Sequence, residues 1–164
     1  MIEILFVCTA NQFRSPIAAA YFAHKLRENG ASTGWAISSA GTWVKAETPA
    51  HPKAMMAAAQ LGLDLSTHRS REVNARMLIG ADLIVVMELG HKEALEYEFP
   101  QCKGRIVLLG EAAGEHGIEI DDPARSNFVE SDVTVQSIIV CVDKGFSKLV
   151  NLAESRRDTN ETIQ

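Results

Sequence analysis

A chain of 164 residues suits one domain with a sizeable core and leaves little room for two. With 46% hydrophobic and 23% charged residues it has an ordinary globular composition, and a formal charge of -5 disfavours nucleic acid and anionic membranes as main partners. No apolar run approaches the ~20 residues of a membrane span, and the first residues lack the basic leader and long apolar core of a secretory signal, so a cytoplasmic protein is expected.

In chain order, residues 2–8 form the first strand-like apolar run. Residues 16–29 follow with Ala19, Phe22, Ala23 and Leu26 at helical spacing and Gly30 as a stop. Residues 36–39 read as a second strand, and residues 50–61, "AHPKAMMAAAQL", as a helix rich in strong helix formers. Residues 82–87 and 105–109 are the third and fourth strands. Their "LIVVM" and "IVLL" do not alternate, as expected of strands covered on both faces of a parallel sheet. "LGHKEALEYEF" between them reads as a short helix. The last helix is the clearest: Val135, Ile138, Ile139, Val142, Phe146, Leu149 and Val150 keep a 3.6-residue period, with Ser131 or Asp132 as its cap. Strands alternating with helices predict an α/β fold, a three-layer α/β/α sandwich. Residues 1–154 are expected to form a single domain and the polar residues 155–164 an unstructured tail. The long stretch from Gly110 to Asp132 is of the kind that carries function.

Three cysteines, Cys8, Cys102 and Cys141, lie far apart and form neither a disulfide framework nor a CxxC pattern. The five histidines are scattered singly. No metal and no cofactor is therefore expected.

Cys8 ends the first strand, and in open α/β sheets ligands bind beyond the carboxyl ends of strands. Thr9, Ala10, Asn11, Gln12 and Phe13 follow, then Arg14-Ser15-Pro16. Ser15 suits an N-cap and Pro16 the first helical position, so the helix should start where the loop closes. Loop N–H groups and the helix N-terminus make an anion site, and Arg14 adds a planar fork matched to phosphate oxygens. The same field favours negative charge on the Cys8 sulfur, and Ser15 is placed to hydrogen-bond it. On its own, Cys8 reads first as a small buried hydrophobe; the strand before it and the Ser-Pro after it point to a nucleophile.

"FVCTANQFRSPIA" resembles the signature loop, Cys-x5-Arg-Ser, of the low-molecular-weight protein tyrosine phosphatases, bacterial type. "SSAGTW", "GLDLSTHRSRE", "ADLIVVM" and "DDP" follow in the order that family shows, so the resemblance spans roughly residues 2–150. It implies a four-stranded parallel sheet in the order 2-1-3-4 with helices on both faces. It implies phosphotyrosine hydrolysis on proteins through a phosphocysteine on Cys8, with Arg14 holding the phosphate. The acid that protonates the leaving group would be the aspartate before proline, Asp122; from the residues alone Asp121 is the other candidate. Asn11 corresponds to the asparagine that holds the loop in its strained shape, and His68 to the histidine that bonds it. In related bacterial proteins the substrate is an autophosphorylating tyrosine kinase of polysaccharide export, which makes a phosphorylated protein the expected partner of a monomer or weak dimer.

The sequence departs from the family at three places. Phe13 stands where many members carry a second cysteine able to protect the nucleophile. Gln12 replaces the Ile of the tyrosine-directed branch and the Thr of an arginine-phosphate branch. Ala124 and Arg125 follow Pro123 where an aromatic often walls the substrate slot, leaving Trp43 and Phe13 as the expected walls. Phosphoarginine or another phosphoester is thus an alternative substrate. A thiol-dependent arsenate reductase is a more distant alternative, needing two further relay cysteines, and a phosphate-binding module without turnover is the third.

Overall fold

The computed structural model describes residues 1–31 and 33–162. Four strands form one parallel sheet: β1 (Ile2–Cys8), β2 (Trp35–Gly41), β3 (Leu83–Val86) and β4 (Ile106–Leu108). Their order is β2-β1-β3-β4, as expected from the resemblance. In β1, Ile4, Phe6 and Cys8 enter one core, and Leu5 and Val7 enter the other. Both faces of the strand are covered, which is why its sequence does not alternate between apolar and polar.

The first core is closed by α1 (Arg14–Glu28), α2 (Pro52–Gln60) and α6 (Ser131–Thr162). Phe22 of α1 is fully buried there, its ring 5.6 Å from Phe6 and 5.1 Å from Phe146. The second core is closed by α3 (Ala75–Gly80) and α4 (Leu89–Glu98), through Leu78 and Leu95. A short α5 (Leu109–Ala112) continues directly from β4, so Leu109, expected in the strand, is already helical. The α3 helix has no counterpart in the periodicity because its six residues are too few to show one; the Asn74 side chain caps it by accepting from the Met77 N–H at 3.0 Å.

Three local expectations are corrected. Helix α1 starts at Arg14, its N-cap position falls on Phe13, and Ser15 does not cap it. The Ser15 hydroxyl faces the Cys8 sulfur instead, at 3.0 Å. Helix α6 starts at Ser131, which puts Ser131 and Asp132 inside its first turn. That helix also runs through Thr162, so residues 155–162 continue it rather than forming an unstructured tail. Ala153 is still fully buried at its far end, and Ser155 and Thr159 hydroxyls bond back to the carbonyls of Asn151 and Ser155, both at 2.9 Å. Residues 163–164 lie outside the described residues. Among the described residues no helix is long and apolar enough to cross a membrane.

Candidate active site

Residues 9–13 carry the chain from the end of β1 to α1. The carbonyls of Cys8, Thr9, Asn11 and Gln12 are tied to neighbouring segments. Thr42 N–H donates to Cys8 O (2.9 Å), Trp43 N–H to Thr9 O (3.0 Å) and His51 N–H to Gln12 O (2.8 Å). The His68 Nε2–H donates to Asn11 O at 2.7 Å. Among the described residues, the N–H groups of residues 10–15 find no protein acceptor, which leaves them as donors for an anion. Gly41 of β2 is required at this approach, because any Cβ there would strike the Thr9 carbonyl.

Asn11 sets the turn. It is fully buried with a left-handed φ of 56°, a conformation Asn tolerates better than most residues. Its Nδ2 donates to Ser15 Oγ and Ser39 Oγ, both at 2.9 Å, and its Oδ1 accepts from Arg71 N–H at 3.0 Å. His68 bonds its carbonyl from behind. Burial pushes the His68 imidazole below its ordinary pKa, with the Asn11 carbonyl acting against that shift and Arg71 and Arg69 adding to it.

Cys8 is 2% exposed at the floor of the loop. Ser15 Oγ lies 3.0 Å from its sulfur, a contact in which either atom can donate, and 3.3 Å from Ala40 O, which accepts the hydroxyl proton while the sulfur is a neutral thiol. A charged sulfur would claim it. Above the floor is Arg14, itself 2% exposed. Its Nη1 donates to Glu88 Oε1 (2.7 Å) and Ile120 O (2.8 Å), and its Nη2 to Thr9 Oγ1 (3.3 Å), with Asp122 Oδ2 at 3.2 Å. Partners on both terminal nitrogens hold this buried cation in one orientation. Asp122 begins a short 3-10 turn, Pro123–Ser126, and its other oxygen accepts from Ala124 N–H at 3.1 Å. Asp121 is 89% exposed and its carboxylate reaches only Arg125, at 4.0 Å, so of the two aspartates Asp122 is the one beside Arg14.

Cys8, Ala10, Gln12, Phe13, Arg14, Asp122, Ala124 and Phe128 line one cleft of about 60 Å³. A larger cleft of about 500 Å³ lies behind the loop along α1. It is lined by Arg69 and Arg71 but not by Cys8, and the smaller cleft holds the reactive groups. Phe13 and Ala124, the expected slot residues, line this smaller cleft. Trp43 does not: its peptide is held by Thr9, but its ring is 62% exposed with Lys45 Nζ 4.9 Å above it. Phe128 takes the wall position, its ring stacked on His51 at 3.7 Å and lying 5.9 Å from Phe13. Asn127 and Phe128 both have left-handed backbones, with φ of 50° and 62°, and this tight turn brings the ring back toward the slot. Gln12 Nε2 donates to Thr48 Oγ1 at 2.7 Å, so it braces the loop lip.

Four contributors escaped sequence reasoning: Glu88, His91, Ser39 and Phe128. Glu88 follows the C-terminal end of β3, next to β1, and the strand-end rule could have found it. Arg125 bridges to the same carboxylate at 3.1 Å. His91 is 5% exposed; burial, then the nearby Arg14 charge, lowers its pKa to about 4, so its imidazole is neutral. No group of three or more His, Cys, Asp or Glu among the described residues is placed to hold a metal ion.

A parallel α/β sheet with a thiol at a strand end, beneath an arginine-closed loop of free amides, is an arrangement suited to holding an anion against a potential nucleophile. The family model of the low molecular weight phosphotyrosine protein phosphatases matches residues 3–159, and the chain belongs to that family of phosphoester hydrolases. It is 34% identical over 126 residues to the probable low molecular weight protein-tyrosine-phosphatase EpsP of Ralstonia solanacearum, covering 77% of this chain and 81% of that one. It is 32% identical over 121 residues to a protein-arginine-phosphatase of Geobacillus stearothermophilus, covering 74% and 78%. A crystal structure of a low molecular weight protein tyrosine phosphatase from T. tengcongensis matches with a TM-score of 0.82 at 31% identity, covering 91% of this chain and 100% of that one.

Proposed function

We propose that this protein hydrolyses phosphotyrosine on proteins in two steps through a phosphocysteine on Cys8. In the first, the Cys8 thiolate attacks phosphorus while Arg14 and the loop amides hold the non-bridging oxygens. The S–P bond forms as the P–O bond to tyrosine breaks, and the protonated Asp122 gives its proton to the departing oxygen. In the second, Asp122 as carboxylate takes a proton from water, which attacks phosphorus and expels the thiolate. Ser15 stabilises the sulfur as leaving group. The observation that carries the proposal is the convergence of Cys8, Arg14 and Asp122 on one cleft, with Ser15 Oγ 3.0 Å from the thiol.

Phe13 and Phe128 give the cleft an aromatic wall, which suits the apolar ring of an aryl phosphate. A phosphorylated tyrosine kinase in the cytoplasm is the protein substrate we infer. Phosphoarginine is the second reading, favoured by the arginine phosphatase among the relatives and by the polar Gln12 at the lip. Arsenate reduction lacks support, because Cys102 is buried in the core on one face of the sheet and Cys141 in the core on the other. The test is turnover of matched phosphotyrosine, phosphoserine and phosphoarginine peptides by wild type and Cys8→Ser. Phosphotyrosine should be preferred and all turnover lost in the variant. Preference for phosphoarginine would replace the substrate, and an active Cys8→Ser would end the mechanism.

A further inference from the structure

His91 and Thr9 make a hydrogen-bond chain whose proton positions can be assigned from donors alone. The Glu88 backbone N–H donates to His91 Nδ1 at 3.1 Å, so that nitrogen carries no proton. The ring is 5% exposed and neutral, and its one proton therefore sits on Nε2. Thr9 Oγ1 lies 2.9 Å from that nitrogen and accepts from it. Arg14 Nη2, which can only donate, gives a second hydrogen bond to the same oxygen at 3.3 Å. Both lone pairs of the hydroxyl are thus engaged, and its proton must leave in the remaining tetrahedral direction. Among the described residues no protein group accepts it. Asp122 Oδ2 rests on the same Arg14 Nη2, at 3.2 Å. A phosphate oxygen that takes Asp122's place on that nitrogen stands beside the Thr9 hydroxyl.

We propose that the Thr9 side chain donates a hydrogen bond to the bound phosphate, and that His91 is the positioning residue that turns it there. The assignment rests on the phosphatase reading above. It adds a side-chain donor to the backbone cradle, and it explains why a histidine is buried at the start of α4, where the Glu88 N–H alone could be satisfied by a smaller acceptor. A donor preset toward the phosphate needs no reorientation when charge moves onto the phosphoryl oxygens in the transition state.

The experiment compares Thr9→Val, Thr9→Ser, His91→Asn and the double Thr9→Val/His91→Asn on an aryl phosphate, with inhibition by vanadate as a second readout. Valine keeps the shape of threonine and removes the hydroxyl. Asparagine can still accept from the Glu88 N–H but does not extend to Thr9. Thr9→Val should lower kcat/KM and weaken vanadate inhibition, each about tenfold, the range of one hydrogen bond to a charged group. Thr9→Ser should recover most of that loss. His91→Asn should resemble Thr9→Val, and the double variant should be no worse than Thr9→Val, because His91 acts through the hydroxyl. Thr9→Val within twofold of wild type on both readouts overturns the assignment, as do single-variant losses that multiply in the double. Should His91→Asn fail to fold, the valine and serine pair still decides. A wild type that hydrolyses no phosphoester would instead strike the phosphatase reading itself.

Discussion

Replacing Asn11 with alanine tests whether one buried amide holds the loop. The side chain is fully buried and makes three hydrogen bonds, to Ser15, Ser39 and the Arg71 amide. Each lost bond is worth about 1 kcal/mol, and leaving the Arg71 N–H without a partner adds to that. Alanine at a φ of 56° adds roughly 1 kcal/mol of left-handed strain. The sum is about 4 kcal/mol, a large share of the 5–15 kcal/mol that holds a typical domain folded. Asn11→Gly loses the same bonds without the strain, so it should be more stable than Asn11→Ala by up to about 1 kcal/mol, less whatever glycine gains in unfolded entropy. Denaturant unfolding gives the stability and aryl phosphate turnover gives the activity. Both should fall, with kcat/KM down by more than tenfold, since the loop amides lose their common orientation. A stability loss below about 1 kcal/mol, or full activity in a destabilised variant, would refute the reasoning.

Asp122→Ala should slow hydrolysis of substrates with poor leaving groups far more than of activated aryl phosphates; equal losses on both would move the acid elsewhere, first to Asp121. His91 stays neutral in the folded protein down to about pH 4, whereas an unfolded histidine takes its proton near 6.5. Its folded value is lowered, so the folded state keeps full stability above pH 6.5 and loses up to about 3 kcal/mol as the pH falls toward 4. His51 and His68 are also lowered by burial and act in the same direction. Denaturation midpoints of His91→Gln should therefore fall less steeply with acidity than those of wild type. Phe128→Ala should raise KM for phosphotyrosine peptides several-fold, while phosphate inhibition stays near that of wild type, because the ring touches the slot wall and not the cradle. Equal losses on both would place the ring's effect in the cradle.

The chemistry of the loop was legible because it is local. Cys8, Asn11, Arg14 and Ser15 lie within one strand end and one helix start, and their types at that spacing already describe an anion cradle. Glu88 and His91 were hidden because their role depends on strand register. Val7 pairs with Val86, which carries the chain after β3 to the mouth of the Cys8 loop. No short-range pattern reports that pairing. Trp43 illustrates the reverse failure. Sequence places it near the loop, and its peptide is indeed bonded there, but which way the ring turns follows from the backbone path and not from proximity. Phe128 reaches the slot only because two successive left-handed residues reverse the chain. The polar end of α6 offers no apolar stripe to mark it as a helix, yet the long helix that precedes it propagates at little added entropy.

Trapping the intermediate tests the central claim most directly. Asp122→Ala retains Cys8 and Arg14 but lacks the base that activates water, so it should accumulate enzyme-bound phosphate when mixed with an activated aryl phosphate. Acid quench followed by mass spectrometry of the peptides should find phosphate on the one that holds Cys8, together with a stoichiometric burst of released phenol. Phosphate on any other residue, or turnover without a phosphorylated Cys8, would contradict the account.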